Sequence, residues 1–322
     1  MNNPVLVELT RGDLVESVHR GSIAVADAEG RIVFALGDLE TPVYPRSSLK
    51  PIQALPLIES GAADAFGLSE EEIALACASH SGEPMHTTRV AAWLARIGCV
   101  ESDLACGAHP SRYEPVAEAM IRAGERPTRI HNNCSGKHAG FLTVARHWDI
   151  GTQGYERVDH PVQQAIAKTL SELAEVSGEL PYGIDGCAAP NFAVPLGAQA
   201  KAFAKLTASR GTRIVRAMTA HPELVSGTGR TCAILMRSAR GRAAVKTGAE
   251  GFFAAILPEL GLGIALKIDD GAGRAADAVM AAMLARYGLL GDDEAAQKIL
   301  RCPLINTRDE VVGERRVSAL LA

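Results

Sequence analysis

The spacing of apolar residues divides the chain into a strand-rich beginning, a helical middle and an end that mixes both. Period-two alternation and short apolar runs predict strands over 4–10, 15–26, 31–36, 231–237, 242–247 and 263–268. The second and third of these strands are joined by turn residues, which predicts a β-hairpin. Helical spacing predicts helices over 47–60, 86–97, 114–123, 136–147, 161–176, 211–219, 274–287 and 293–300. A capping box formed by Ser69 and Glu72 marks the start of a further helix.

This order of elements predicts an α+β fold, with an antiparallel sheet flanked by helices. The first and last parts of the chain are expected to share the sheet, and the helical middle is then an insertion. We therefore expect a single catalytic unit over 1–322, whose sheet-containing part is 1–46 and 191–322 and whose mostly helical part is 47–190.

Composition and charge exclude several classes of protein. A formal charge of −4 and a pI near 6.2 leave no basic surface for nucleic acid. The longest apolar runs, such as 73–78 and 253–257, are far shorter than the roughly 18–20 residues that span a bilayer. Residues 1–13 lack the basic and apolar regions of a signal peptide, so we expect a cytoplasmic protein. The seven cysteines are odd in number and scattered, which does not indicate a disulfide framework.

Ser47 and Lys50 carry the first chemical signal. They stand three residues apart at the start of an apolar segment, and residues at this spacing share one face of a helix. A buried lysine with a lowered pKa can take the proton of a serine hydroxyl, and serine acyl-transfer enzymes use this S-x-x-K spacing. By itself the pair is also compatible with a capped helix that carries a solvated lysine.

Lys246, Thr247 and Gly248 form a K-T-G tripeptide at the end of a predicted strand. Serine acyl enzymes with S-x-x-K carry such a strand beside the site, together with an S-D-N motif that this chain lacks. Ser79, at the end of a predicted helix, is a candidate for the missing hydroxyl. It is equally compatible with an ordinary helix C-terminus.

Two polar, glycine-rich loops, 131–138 and 183–191, give the second signal. Their candidate metal ligands are Cys134, Cys187, His131, His138 and Asp185, and a Cys/His set favours zinc. The alternative is a pair of loops whose side chains hold one another and a substrate. The segment 226–230 lacks a phosphate-loop pattern and precedes a predicted strand, so we interpret it as a tight turn that can line the site through its backbone amides or through Arg230.

The chain resembles the rhizobial-type L-asparaginases, also called the asparaginase II or class 3 family. The resemblance rests on the strings R-S-S-x-K-P-x-Q-A-L-P, C-A-S-H-x-G-E, H-N-N-C-S-G-K-H-A-G, G-I-D-G-C-x-x-P and K-x-G-A-E-G, which extend over nearly the whole chain. It implies a fold similar to serine β-lactamases, penicillin-binding proteins and glutaminases. It also implies a homodimer and hydrolysis of L-asparagine to aspartate and ammonia.

The resemblance also implies the site residues. Catalysis is assigned to Ser47 as nucleophile with Lys50 as base, and to Ser79 and Lys246 as a second Ser–Lys pair, with Lys267 as an outside candidate for the last position. Zinc is expected on Cys134, Lys137 and Cys187, with water completing its shell. Substrate binding is expected at Arg46, His80, Asn133, His138 and Asp185.

The expected mechanism is double displacement through an acyl enzyme. Alternatives are a glutaminase, a β-lactam or D-amino-acid peptidase on the same scaffold, and a zinc-dependent amino-acid sensor without catalysis. Asparagine and glutamine differ by one methylene, worth only about 1–3 kcal/mol of discrimination, so the residues alone do not select between them.

Overall fold

The structure is a computed structural model that describes residues 3–208 and 210–321. Its strands are β1 (Val5–Arg11), β2 (Leu14–Asp27), β3 (Ile32–Leu36), β4 (Pro42–Val43), β5 (Tyr182–Ile184), β6 (Pro190–Phe192), β7 (Val194–Pro195), β8 (Ala244–Thr247), β9 (Phe252–Leu257), β10 (Leu262–Ile268), β11 (Cys302–Ile305) and β12 (Val311–Val317).

The α-helices are α1 (Lys50–Gln53), α2 (Leu55–Glu59), α3 (Ala62–Ala65), α4 (Glu70–Ala76), α5 (Pro84–Arg96), α6 (Glu114–Arg122), α7 (Ser135–His147), α8 (Pro161–Ala174), α9 (Leu196–Lys205), α10 (Thr212–Ala220), α11 (Pro222–Ser226), α12 (Thr231–Ser238), α13 (Gly273–Arg286) and α14 (Glu294–Leu300). Short 3₁₀ turns lie at Arg46–Leu49, Glu101–Asp103, Arg129–His131, Pro258–Leu260 and Ala319–Leu321.

The chain divides into two compact units. The sheet unit comprises 1–48, 194–208 and 234–322, and the helical unit comprises 49–193 and 209–233. The sequence division at 46–47 and 190–191 lies close to two of these boundaries, but it did not anticipate that 210–233 belongs to the helical unit.

An antiparallel sheet organises the sheet unit. Its strands follow the order β11-β12-β1-β2-β10-β9-β8, and β3 pairs with β2. The long strand β2 pairs with β1 through its first half and with β10 through its second half, which begins at Gly21. A Cβ at Gly21 would lie 2.3 Å from the carbonyl oxygen of Lys267, so only glycine fits where β2 passes between its two partners.

Helices α9 and α13 pack on this sheet. Helix α9 lies so close to β10 that a Cβ at Gly263 would stand 2.1 Å from the backbone nitrogen of Ala204. All six residues of β9 are buried, since packing leaves no solvent-facing side on this strand.

Helix α7 is the centre of the helical unit, and every residue from Ser135 to Ala145 is buried. A Cβ at Gly136 would lie 2.4 Å from the carbonyl oxygen of Leu75, so glycine lets α7 approach the end of α4 closely. The capping box predicted at Ser69 and Glu72 is present at the start of α4. Strands β5 and β6 form a separate two-stranded ladder.

The predicted α+β class and the antiparallel sheet with flanking helices are confirmed. The hairpin of β2 and β3 is also confirmed. No helix of the described residues is both long and apolar enough to cross a membrane.

Two predicted elements are wrong. The predicted strand 231–237 is helix α12, because a short apolar run rich in Ala, Leu and Met fits a helix as well as a strand. The predicted helix 47–60 is a 3₁₀ turn followed by α1 and α2, and Ser47 does not cap it. Pro51 and Pro56 each lack a backbone N–H and begin a new short helix, which interrupts the ladder of hydrogen bonds.

Candidate active site

Ser47 lies on a tight turn of the sheet unit. The 3₁₀ turn Arg46–Leu49 carries it, and Arg46 has a φ of +51°, a conformation that residues other than glycine rarely adopt. Such strain persists only where the surrounding structure holds it, and it is frequent at functional sites. The Ser47 side chain is partly exposed and makes no hydrogen bond to a described residue, so its hydroxyl is available.

Ser48 has a different role from its neighbour. It is fully buried, and its hydroxyl donates a hydrogen bond of 2.6 Å to the carbonyl oxygen of Lys246. This bond ties the Ser47 turn to the end of β8. A Cβ at Gly248 would lie 2.4 Å from the carbonyl oxygen of Pro45, so the K-T-G tripeptide passes directly against the same turn.

Lys246 is buried beside this turn, with only 1% of its surface exposed. Its amine donates a hydrogen bond of 2.8 Å to the carbonyl oxygen of Thr247. The sheet unit therefore brings together Arg46, Ser47 and Lys246. Lys267, the outside candidate, lies on β10, and burial lowers its pKa.

Lys50 begins α1 in the helical unit and is 1% exposed. Its amine donates to the carbonyl oxygen of Ala78, to Ser79 Oγ at 3.0 Å and to the carbonyl oxygen of Asn133 at 3.5 Å. All three acceptors are neutral oxygens of the same unit. The structure thus joins Lys50 with Ser79, whereas Lys246 belongs to the other unit, so the predicted pairing of Ser79 with Lys246 stays a prediction.

His80 and His86 fix the loop that follows Ser79. Their rings stack with centroids 4.8 Å apart. Nδ1 of His80 accepts from the backbone N–H of Gly82, so Nε2 carries the proton and donates to Ser135 Oγ at 2.9 Å. Burial lowers the pKa of both histidines, and each also lies near other cationic groups. Both rings are therefore neutral supports of the loop.

Asn133 joins this loop to the start of α7. Its carbonyl oxygen accepts from the backbone N–H of His80 at 3.2 Å, and its amide oxygen accepts from the Cys134 thiol at 3.1 Å. The backbone N–H of Asn133 donates to His109 Nε2 at 2.8 Å. His80 and Asn133, both predicted to bind substrate, are thus held in one hydrogen-bonded network.

Cys134, Lys137 and Cys187 form a buried cluster. Lys137 Nζ lies 3.0 Å from Cys187 Sγ. The interaction between the Cys134 and Cys187 side chains lowers the pKa of Cys187 strongly, with help from the Lys137 charge, and raises that of Cys134. Burial acts to lower the pKa of Lys137, but the Cys187 and Cys134 charges outweigh it and raise this pKa. Both shifts favour the charged forms of Lys137 and Cys187, which stabilise each other across the 3.0 Å contact.

His138 stands beside this cluster on the same turn of α7. Its Nδ1 lies 2.7 Å from Tyr155 Oη. Burial lowers the pKa of His138, and an interaction with the nearby Cys187 sulfur opposes that shift. The His138 ring is therefore held between Tyr155 and the cysteine cluster.

Asp185 and Cys187 share the turn between β5 and β6. Ala188 holds a φ of +73° there, and its N–H donates to the carbonyl oxygen of Asp185 at 2.8 Å. The Asp185 carboxylate accepts from the N–H of Gly186 at 2.7 Å and contributes to the raised pKa of Lys137. The tight turn therefore brings the carboxylate into the electrostatic field of the cluster.

The donor types of this cluster suit zinc: two sulfurs, one amine and one imidazole nitrogen. The described residues include no group of three or more His, Cys, Asp or Glu side chains arranged to hold a metal. A zinc site here needs Lys137 as a ligand, which must then lose its proton. His131, an initial metal candidate, instead bonds through Nδ1 to Thr128 at the 3₁₀ turn before α7.

Sequence reasoning missed several residues that support the site. Tyr155 positions His138, and Cys106, whose pKa burial raises to about 12, lies near Cys187. Glu83 is buried and accepts from the N–H and the hydroxyl of Thr228, at 2.9 and 2.7 Å. Glu83 is the last residue of the C-A-S-H-x-G-E string, so that motif could have identified it as a site residue. Tyr155 stands in no motif.

Comparison with known proteins supplies the class of protein. The model of the L-asparaginase II family matches residues 7–317. The chain therefore belongs to the L-asparaginase II family, and it is an asparaginase-type amidohydrolase. Comparison with curated protein sequences gives no match.

Solved structures similar to this chain include three of low sequence identity. A protein from Bacteroides dorei DSM 17855 named as a β-lactamase has a TM-score of 0.41 at 14% identity, over 77% of this chain and 84% of that one. A β-lactamase from Mycobacterium bovis has a TM-score of 0.38 at 16% identity, over 83% and 94%. Simvastatin synthase (LovD) from Aspergillus terreus, in a mutant form, has a TM-score of 0.35 at 10% identity, over 87% and 90%.

Proposed function

We propose that this protein hydrolyses L-asparagine to L-aspartate and ammonia through an acyl enzyme on Ser47. Membership of the L-asparaginase II family supports an amide substrate. The observation that carries the proposal is the buried Lys50 amine, which bonds Ser79 Oγ at 3.0 Å and is one 3₁₀ turn along the chain from Ser47. The S-x-x-K spacing puts this buried amine three residues after Ser47, and serine acyl-transfer enzymes use a lysine at this spacing to activate the hydroxyl nucleophile.

In the proposed reaction, Lys50 in its neutral form accepts the proton of Ser47 while Oγ attacks the side-chain amide carbon. The C–N bond then breaks, and the proton goes with the leaving ammonia. Backbone N–H groups near Ser47 stabilise the oxyanion, and water cleaves the ester to give aspartate. Ser79, bonded to Lys50, holds the amine and can pass a proton to the leaving group.

The proposal is tested by ammonia release from L-asparagine and L-glutamine for the wild type, Ser47→Ala and Ser48→Ala. Ser48→Ala is the matched control, because it removes the same hydroxyl from the neighbouring residue, where it bonds Lys246 instead of facing outward. We expect asparagine turnover to vanish in Ser47→Ala and to persist in Ser48→Ala. Equal turnover in the wild type and Ser47→Ala would reject Ser47 as the nucleophile.

Binding measurements separate the enzyme from a non-catalytic sensor. Calorimetry on Ser47→Ala is expected to show asparagine binding without turnover. If neither amide is hydrolysed by the wild type with zinc supplied, while asparagine still binds, the amino-acid sensor becomes the better account. Faster turnover of glutamine than of asparagine would favour the glutaminase alternative.

We also propose that Cys134, Lys137 and Cys187 hold one zinc ion, which when bound would supply a Lewis acid and fix the two loops that carry these residues. The support for this proposal is the donor set: two buried cysteine sulfurs and the buried Lys137 amine, which lies 3.0 Å from Cys187 Sγ. Elemental analysis tests this directly: one zinc per chain is expected in the wild type and none in Cys187→Ala. A wild type that stays free of zinc after dialysis against the ion would reject the site.

The homodimer implied by the resemblance also stays a proposal. Sedimentation equilibrium is expected to give twice the chain mass of 33.9 kDa. A mass of one chain across the concentration range would contradict it.

A further inference from the structure

Two arginines of the helical unit, Arg112 and Arg230, differ from most others in that unit. Seven arginines there form ion pairs with carboxylates: Arg89, Arg96, Arg122, Arg157, Arg210, Arg213 and Arg216. Within the described part of the chain, the guanidinium groups of Arg112 and Arg230 have neither an ion pair nor a hydrogen bond. A guanidinium offers five N–H donors, so these two groups keep their full capacity for an anion.

Both arginines are anchored to the loop that follows Ser79. The backbone N–H of Arg112 donates to the carbonyl oxygen of Ser81 at 2.9 Å. Arg230 follows Thr228, whose N–H and hydroxyl both bond the buried Glu83 carboxylate. One arginine therefore approaches each end of the segment 81–83, which directly continues the predicted site residues Ser79 and His80.

The turn before Arg230 leaves little freedom for movement. Gly227 has φ +120° and ψ 168°, which is accessible essentially to glycine alone. A Cβ there would stand 2.0 Å from Ser81 Oγ. Ser81 also donates its hydroxyl to the carbonyl oxygen of Ser226 at 3.0 Å. This double attachment fixes the turn that leads to Arg230 on the same loop to which the Arg112 backbone is bonded.

The two charges lie within electrostatic range of each other. Burial lowers the pKa of Arg112, the Arg230 charge lowers it further, and Cys134 opposes both. Two guanidinium groups near each other repel, and no described carboxylate pairs with either one. An anion between them relieves that repulsion, and a carboxylate fits the planar fork of arginine through two parallel hydrogen bonds. Arg112 keeps an exposed surface, so a ligand can reach it.

We propose that Arg112 and Arg230 bind the α-carboxylate of the amino-acid substrate. This inference rests on the proposed function, since it assigns part of the same site. In this arrangement the two arginines bind the α-carboxylate of the amino acid, and Asp185, a predicted substrate-binding residue, binds its ammonium group. An amide that lacks the α-carboxylate is then a poor substrate.

The test compares L-asparagine with β-alaninamide, which is asparagine without its α-carboxylate. The variants are Arg112→Gln, Arg230→Gln and the matched control Arg122→Gln, an exposed arginine of the same unit that pairs with Glu118. For each of the first two variants we expect kcat/KM for asparagine to fall about 10- to 100-fold, the range for a lost hydrogen bond to a charged group. β-Alaninamide turnover is expected to change less than about threefold.

A fall that is equal for both substrates would overturn the inference, because it would show general damage to the site. Unchanged asparagine kinetics in both variants would overturn it as well. Arg112→Lys is expected to recover part of the asparagine turnover, since it keeps the charge and loses only the planar fork.

A binding measurement keeps this test independent of turnover. Calorimetric titration with L-aspartate is expected to show binding to the wild type and to Arg122→Gln, and about 10-fold or more weaker binding to the other two variants. If the wild type hydrolyses no amide but this pattern of aspartate binding holds, the proposed function fails and the carboxylate site stands. Equal aspartate affinity in all four proteins overturns the carboxylate site.

Discussion

Gly227→Ala is the substitution for which the structure predicts the clearest cost. Gly227 ends α11 with φ +120° and ψ 168°, a conformation that a residue with a Cβ adopts only under strain. An added Cβ would lie 2.0 Å from Ser81 Oγ, 2.7 Å from Ser81 Cβ and 2.8 Å from Glu83 Oε1. All three atoms belong to the buried side chains of Ser81 and Glu83, which hold the loop after Ser79.

Two contributions add to the expected loss of stability. The backbone conformation costs about 1–3 kcal/mol, and overpacking against the Ser81 and Glu83 atoms costs about 1–3 kcal/mol more. We therefore expect Gly227→Ala to lower the free energy of unfolding by about 2–6 kcal/mol. Because the strain falls on the loop that bears His80, asparagine turnover should fall too.

Gly229→Ala is the matched control. Gly229 has φ +69°, but a Cβ there would meet no atom within 4 Å, so only the backbone cost of about 1–2 kcal/mol applies. Urea unfolding followed by circular dichroism, with turnover measured in parallel, compares the two variants. The reasoning fails if Gly227→Ala is no less stable than Gly229→Ala. That result would show that the loop after Ser79 accommodates the added Cβ without loss of unfolding free energy.

Three further results are expected. Ser48→Ala should lose about 1–3 kcal/mol of unfolding free energy, measured in urea, because the carbonyl oxygen of Lys246 stays buried without its donor; unchanged stability would contradict this. Lys50→Met should reduce asparagine turnover at least about 100-fold, the usual range for a lost proton-transfer group, and wild-type ammonia release would exclude Lys50 as the base. Burial lowers the pKa of His86, so the unfolded chain binds protons first as the pH falls; its stabilising contribution is present above about pH 6.5 and is lost below it. His86→Gln should therefore flatten the decline of the melting temperature between about pH 7 and pH 5, and an unchanged slope would reject the assignment.

Periodicity and capping signals predicted most of the long elements. Strand β2, the hairpin to β3 and the start of α4 at Ser69 all show alternation or capping signals along the chain. Strand β9 was missed, because burial on both faces replaces alternation by a uniform apolar run, FFAAIL. Strand β12 was missed for the opposite reason, since its charged residues, such as Arg315 and Arg316, obscure the pattern. Strand β11, CPLI, is only four residues long and contains a proline, so it was missed as well.

The site was predictable where motifs carried it, and only there. The motifs named Lys137 and Cys187, which are 50 residues apart in sequence and 3.0 Å apart in space. They gave no sign of Tyr155, which contacts His138 from outside any motif. Nor did they show that the Lys50 amine bonds Ser79, because the S-x-x-K spacing concerns one turn of the chain, while Ser79 arrives through the packing of α4.

The most direct test of the central claim is to trap the acyl enzyme. The wild type and Ser47→Ala are mixed with L-asparagine, quenched with acid within one turnover and digested for mass spectrometry. We expect a β-aspartyl ester on the peptide that contains Ser47 in the wild type, and none in Ser47→Ala. An aspartyl group on Ser79 or another residue, or rapid ammonia release with no ester at any residue, would contradict Ser47 as the nucleophile.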